Sequence, residues 1–226
     1  MTGQAVGEVL AFAVGIALSP LAIVAVVVML VAPRGTKPAW AFVGAWVVSL
    51  LLVLSLLVLL ADGADAETNG GPATWVGVLK IVVAVLLVLF AARQWRGRVS
   101  DDADGSAPGW LRKLDDVNGA KAAGLAVVFA VVKPKNLLLT IGAAVAVAQT
   151  GASASGQAAA IAVFVALATI GVASPLAVHV GMPARGRDLH IRLRDWMLRE
   201  NTTIIVVLSL TIAAKLLGDA LVSLAS

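Results

Sequence analysis

The 226-residue chain contains no cysteine, which removes structural disulfides, thiolate metal sites and CxxC redox chemistry together. Charge is scarce as well. Only 13% of residues are Asp, Glu, Lys or Arg, against 60% hydrophobic, where a soluble domain holds about 45–50% apolar residues. Too little polar surface remains to solvate a compact water-soluble body. There is no Walker loop, so nucleotide hydrolysis within the chain is unsupported. The histidines His179 and His190 lack the neighbouring His, Asp or Glu that a metal site needs. No nucleophile–base pair stands out, so neither a cofactor nor an enzymatic activity is expected. The net charge of +4 would point to nucleic acid in a soluble protein. Here nucleic acid is not an expected partner, because the placement of the charge matters more than its sum.

What the chain has in abundance is long apolar runs. Six of them, Val9–Ala32, Ala39–Ala61, Trp75–Ala92, Ala122–Ala148, Gln157–Val180 and Ile204–Ala225, approach or exceed the ~20 residues that a helix needs to cross a ~30 Å hydrocarbon core. They lack the alternation of barrel strands, so helices are expected. The first run is too long for a cleaved signal peptide and has no preceding Lys or Arg, so it is read as a span. The expected fold is an all-α membrane protein, a single transmembrane domain over residues 1–226. It divides into repeat one at 1–95, a cytoplasmic linker at 96–118 and repeat two at 119–226. Three crossings per repeat would invert the second relative to the first.

Thirteen of the 17 basic residues fall in three alternate connections. These hold Arg34 and Lys37, then Arg93, Arg96, Arg98, Arg112, Lys113 and Lys121, then Arg185, Arg187, Arg192, Arg194 and Arg199. The opposite face carries Asp62, Asp65 and Glu67 and no basic residue. The positive-inside rule places the basic connections in the cytoplasm and both termini outside the cytoplasmic membrane. Trp110–Leu114 and Leu189–Trp196 mix aromatic and basic residues and are expected to be interfacial helices. They either fix helix ends at the headgroups or bind anionic lipid. Asp101, Asp102 and Asp104, near Gly105 and Pro108, read as a solvated linker.

The remaining basic residues, Lys80, Lys133, Lys135 and Lys215, lie inside the spans. Each costs at least ~2.5–3.5 kcal/mol at the bilayer centre and so needs an explanation. Lys80 is close enough to one end to snorkel. Lys215 and Asp219, four residues apart, share a helix face and form either a structural ion pair or a coupling site; Glu8 sits at the outer edge of its span. Lys133 and Lys135 flank Pro134 near mid-span. Pro20 lies at a matching depth in the first span, after Ser19, and interrupted helices at matched depths in inverted halves point to a transporter binding site. Ser19 is expected to cap a half-helix that starts at Pro20. Asn136 is expected to add donors beside Pro134, and two helix N-termini with two ammonium groups would bind an anion. The bland alternative is that the lysines satisfy carbonyls exposed by the breaks. If they need an acid instead, Asp219 is the intramembrane candidate. Ser174–Pro175 should kink the fifth span, and Gly15, Gly44, Gly77, Gly124 and Gly142 should permit close helix packing.

Leu18-Ser19-Pro20-Leu21, Arg93-Gln94-Trp95-Arg96, Lys133-Pro134-Lys135-Asn136-Leu137-Leu138-Leu139 and Lys215-Leu216-Leu217-Gly218-Asp219 together resemble the GAP family. These are the peptidoglycolipid- and sulfolipid-addressing proteins of the lysine exporter superfamily. The resemblance covers nearly the whole chain, and the fourth-span motif is its most specific part. It implies two inverted three-helix repeats and the delivery of complex lipids to the actinobacterial cell envelope. Val83-Ala84 departs from the pattern where a glycine is expected, which bears on packing of the third span. The expected function is therefore transport of an anionic or amphipathic envelope molecule. The alternatives are export of a small solute such as an amino acid, or an accessory role in a lipid-export machine. Expected partners are a membrane lipid or glycolipid substrate, with a homo-oligomer or lipid-synthesis and export proteins as further candidates. The expected substrate-binding residues are Ser19, Pro20, Lys133, Pro134, Lys135 and Asn136.

Overall fold

A computed structural model describes residues 2–32, 36–66, 74–101, 117–181 and 183–225. Among them the chain is helical, with no strand. In chain order the helices are α1 (Thr2–Ala17), α2 (Pro20–Val31), α3 (Lys37–Ala66), α4 (Thr74–Asp101), α5 (Gly119–Val127), α6 (Pro134–Ala148), α7 (Ala154–Gly181) and α8 (Pro183–Ala225). A π-helical turn, Val128–Val132, joins α5 to the break before α6. Stretches within α3, α4, α7 and α8 are each long and apolar enough to cross a membrane. Two further spans arise if α1 with α2, bent by 52°, and α5 with α6, bent by 60°, each count as one crossing. Leu52, Leu59, Ile170 and Leu221 all point outward, as expected where the surrounding medium is hydrocarbon rather than water. The chain is a multi-pass membrane protein.

Both breaks have the same local cause. A residue before proline is driven out of the helical region by the proline ring. Ser19 accordingly has φ −105° and ψ 87°, and Lys133 has φ −61° and ψ 125°. Proline then fits the first turn of the next helix, where its missing N–H is no loss, and Pro20 and Pro134 open α2 and α6.

The bent pairs lie inside the bundle, with α1 against α6 and α7, and α2 against α7 and α8. Helix α3 packs on α5, α6 and α7, while α4 packs on α8 and α6. The core is filled by Phe12, Phe42, Trp46, Leu139, Phe164 and Leu216, each almost wholly buried. Phe42 stacks with Trp46 at 6.2 Å between ring centroids and meets Phe129 edge-on at the same separation. Val83 and Ala84 are buried in the core cluster, so the third span packs closely without the glycine that the family pattern suggested.

Small residues let backbones meet at some of the expected positions and at one that was not expected. A Cβ on Gly142 would lie 2.7 Å from the Phe12 ring, and one on Gly15 would lie 2.7 Å from Ile212. Gly44 and Gly124 have nothing within 4 Å of such an atom, so no packing contact requires them, and Gly77 lies outside the residues whose side chains are described. The tightest approach is at Gly171, where a Cβ would stand 2.0 Å from the Ala17 carbonyl oxygen. Helix α7 thus touches the first break through bare backbone. In the next turn Pro175 cannot donate to the Gly171 carbonyl. The Ser174 hydroxyl donates to it instead, at 2.8 Å, which offsets the donor that the proline removes. Helix α7 runs through Pro175 as one element.

Two expected interfacial helices fare differently. Trp110–Leu114 lies outside the described residues, as do Asp102 and Asp104. Leu189–Trp196 forms no separate element. It is the continuation of the last span within α8, 43 residues long.

Replacing Gly171 by Ala is expected to lower the thermal stability of the detergent-purified protein, by about 1–3 kcal/mol or more, since the clash is with backbone. Gly124→Ala, in open space, should leave stability unchanged or raise it by up to ~1 kcal/mol. Equal melting temperatures for the two variants would contradict the close approach at Ala17.

Candidate functional site: the paired helix breaks

The two breaks meet. The Ser19 hydroxyl donates to Asn136 Oδ1 at 3.2 Å, joining residues 117 positions apart in the chain. Lys135 reaches across in the other direction. Its Nζ donates to the carbonyl oxygens of Gly15 at 2.8 Å and Leu18 at 3.1 Å. These acceptors are available for a structural reason. Helix α1 ends at Ala17, so Gly15 lies in its last turn, where carbonyls lack intrahelical donors. The amides of Ala22 and Ile23 both donate to Ser19 O, which leaves the Leu18 carbonyl without its usual partner. The end of a helix also carries partial negative charge, and a buried ammonium there finds both hydrogen bonds and a favourable potential. Lys135 is 6% exposed.

The same logic explains Asn136. The Lys133 amide donates to Val128 O, five residues back, at 3.1 Å. In that π-type register the Phe129 carbonyl would next accept from residue 134, which is proline. Asn136 Nδ2 donates to Phe129 O instead, at 2.8 Å. Asn136 is 1% exposed, and both ends of its amide are bonded.

Several sequence expectations are corrected by this geometry. Ser19 does not cap α2 with its side chain; it bonds Asn136. Asn136 is not a free donor, because it is committed to Phe129 and Ser19. Lys135 takes the bland alternative and satisfies backbone carbonyls. Asp219 is not its counter-ion. It pairs with Lys215 at 2.6 Å, and Glu8 reaches the same ammonium at 2.8 Å. The Lys215–Asp219 pair is therefore one side of a three-residue cluster. Lys80 does not snorkel outward; it is buried, 7% exposed.

Lys133 is held in another way. It is half-buried, and its ammonium lies 3.8 Å from the centroid of the Phe129 ring, a cation–π distance. No hydrogen bond or ion pair is seen for it among the described residues. Its side chain lines a cavity of about 230 Å³ between the two breaks. Ser19, Pro20, Lys133, Pro134, Lys135 and Asn136 all contribute to that cavity, so the six residues singled out by pattern are brought together in space. None of the described residues lining it is Asp or Glu. Phe90, Gln94 and Ile205 also line it, and these the pattern search did not pick. Gln94 carried a signal, as part of the Arg93–Arg96 motif. Phe90 and Ile205 look like ordinary span residues.

The arrangement is suited to anions. Lys133 supplies an ammonium with unused N–H donors. Helix α6 begins at Pro134, and its first described backbone bond runs from the Leu137 amide to Lys133 O at 3.0 Å. The Lys135 and Asn136 amides thus precede the first intrahelical acceptor, at the end where the helix dipole is positive.

A family model described as Sap, sulfolipid-1-addressing protein, matches residues 9–222. No curated protein and no solved structure matches the chain.

Lys135→Gln is expected to destabilise the protein by about 1–3 kcal/mol, because the Gly15 and Leu18 carbonyls lose their donor while still buried. Lys133→Gln, which breaks no hydrogen bond seen in the structure, should shift the melting temperature far less. Thermal unfolding of both variants in one detergent checks the pair. A larger loss for Lys133→Gln would reverse the assignment.

Proposed function

The chain belongs to the sulfolipid-1-addressing protein family, and we propose that it carries an anionic amphiphile of the cell envelope, a glycolipid or its precursor, across or within the cytoplasmic membrane. The observation that carries this reading is the cavity at the paired breaks, with Lys133 turned into it and no Asp or Glu among its described lining residues. Helix breaks that face each other inside a membrane bundle are the usual substrate station of transporters. An ammonium with spare donors and a helix N-terminus favour a negative group there. The family description points the same way, since a sulfated or sulfonated lipid headgroup is anionic. The cavity, about 230 Å³, is below the ~300–1,000 Å³ of pockets that enclose a drug-sized ligand. It has room for a headgroup, with the tails left in the surrounding hydrocarbon. A small solute would instead be enclosed whole, and the family description favours the amphiphile.

The transport reading includes a topology. Each bent pair is one span, giving six, and residues 1–95 and 119–226 are two inverted three-helix repeats joined by a cytoplasmic linker. The packing supports this. Helix α1 lies on α7 as α5 lies on α3, and α2 lies on α7 and α8 as α6 lies on α3 and α4. Corresponding elements therefore meet corresponding neighbours. Both termini lie outside. Trp40 and Trp95 are exposed at 57% and 52%, and each stands at the end of a span that borders a basic connection. There an aromatic belt would mark the cytoplasmic interface. The chain acts as a carrier and not as an enzyme, with the lipid as its principal partner.

Cysteines introduced singly at Ser226 and Ser106, in a chain with none of its own, should label from outside and from inside respectively; the reverse pattern would overturn the orientation. Lys133→Gln should weaken binding of an alkyl sulfate by at least about tenfold, the scale of one charge-assisted hydrogen bond. It should leave binding of the matching uncharged alkyl glycol unchanged. Equal alkyl sulfate affinity for wild type and Lys133→Gln would remove the basis for a site at the breaks.

A further inference from the structure

Lys133 poses a problem that Lys135 does not. A lysine carries its charge at the end of a flexible four-carbon stem, so a site built on it needs something to hold the ammonium in place. A carboxylate would do so and would cancel the charge in the act. That solution is used at the far end of the same helix seam, where Lys215 donates to Glu8 at 2.8 Å and to Asp219 at 2.6 Å. The Phe12 ring also stands 5.6 Å from that ammonium, but the two acids hold its charge. At the breaks the roles are exchanged. The centroid of the Phe129 ring is 3.8 Å from Lys133 Nζ, and no acid reaches this ammonium among the described residues.

Phe129 is itself fixed in place. It is 7% exposed, and its ring meets Phe42 edge-on at 6.2 Å. Phe42 in turn stacks on Trp46, and both of these are fully buried. The Phe129 carbonyl accepts from Asn136 Nδ2 at 2.8 Å. The π-helical turn that contains it is closed by the bond from the Lys133 amide to Val128 O at 3.1 Å. Ring and main chain are thus both anchored, and Lys133 stands where the chain leaves that turn. Lys133 lines the cavity at the breaks, whereas Phe129 is not among its described lining residues. The ring therefore contacts the ammonium from outside the cavity and leaves its cavity side open to an oxygen anion.

We infer that Phe129 is a positioning residue of the site at the breaks: its ring face holds the Lys133 ammonium beside the cavity without cancelling its charge. The nature of the ligand rests on the transport reading above. A ring face attracts a cation through its quadrupole and carries no net charge. An incoming sulfate or similar group thus meets a whole positive charge, already in place, and displaces nothing from it. At Lys215 the same group would first have to displace a carboxylate.

The test is a double-mutant cycle read by binding of an alkyl sulfate to the full chain, purified in a non-ionic detergent. Phe129 is changed in two ways, by Phe129→Leu and by replacement with a trifluorinated phenylalanine, which nearly keeps the shape of the ring but withdraws charge from its face. Each change alone should weaken alkyl sulfate binding by roughly three- to tenfold, the scale of a cation–π contact partly or fully removed from water. Neither should weaken it further in a Lys133→Gln background, and the matching uncharged alkyl glycol should bind all variants alike. Unchanged sulfate affinity with the fluorinated ring would overturn the role, as would equal losses with and without Lys133. Tighter sulfate binding by the fluorinated protein would overturn it too, since the ring would then compete with the anion. In each of these cases the loss caused by Lys133→Gln alone still stands, and the transport reading with it. Sulfate binding indifferent to Lys133→Gln would instead remove that reading, and the positioning role along with it.

Discussion

The contact on which the rest of the structure depends is a lysine ammonium bonded to the spent end of a helix. Lys135 leaves the start of α6 and donates to Gly15 and Leu18 at the end of α1. Without it, two broken helices would present unsatisfied carbonyls to an apolar interior, where each orphan costs roughly 1–3 kcal/mol. With it, each break answers the other. Proline exposes carbonyls in the first span, and the residue after the second proline supplies their donors. The Ser19–Asn136 bond closes the junction, and Asn136 also repairs the carbonyl left open by Pro134. The cavity lies between the breaks because the breaks are held together.

A lysine placed this way needs no acid, which determines the character of the space around it. Had Lys135 been neutralised by a carboxylate, the junction would carry paired opposite charges and little attraction for an anion. Met instead by carbonyl dipoles, its charge is stabilised but not cancelled, and Lys133 adds a second positive charge 3.8 Å from the face of Phe129. The far end of the bundle uses the opposite solution, with Lys215 between Glu8 and Asp219. The two ends of one helix seam thus differ in net charge although lysines are buried at both.

The sequence carried the breaks and the depth of the lysines plainly, because proline has an unambiguous effect on a helix and a cation in an apolar run is conspicuous. It did not carry their partners. A backbone carbonyl has no signature in the sequence, so nothing marked Gly15 and Leu18 as acceptors for a residue 117 or more positions away. Ser19 and Asn136 were recognised as important but given the wrong bonds, since each offers donors and acceptors and only the fold decides which are used. Glu8 appeared to be a boundary residue because its partner Lys215 is 207 positions distant. The π-helical turn at Val128–Val132 has an unremarkable apolar sequence, and Gly171 resembled other membrane glycines until the Ala17 backbone was seen against it. That Val83-Ala84 packs without a glycine is likewise visible only in the fold.

The link between the breaks also has an unusual genetic property. An ion pair can be lost through a change in either partner, and restored by compensating changes in both. Here one partner is main chain. Whatever amino acid occupies position 15 or 18, a carbonyl oxygen is still present, so only a change at Lys135 deletes the bond chemically. The first break is free to vary in side chain at Leu18, and a lineage that loses the lysine has no reciprocal substitution there with which to recover it.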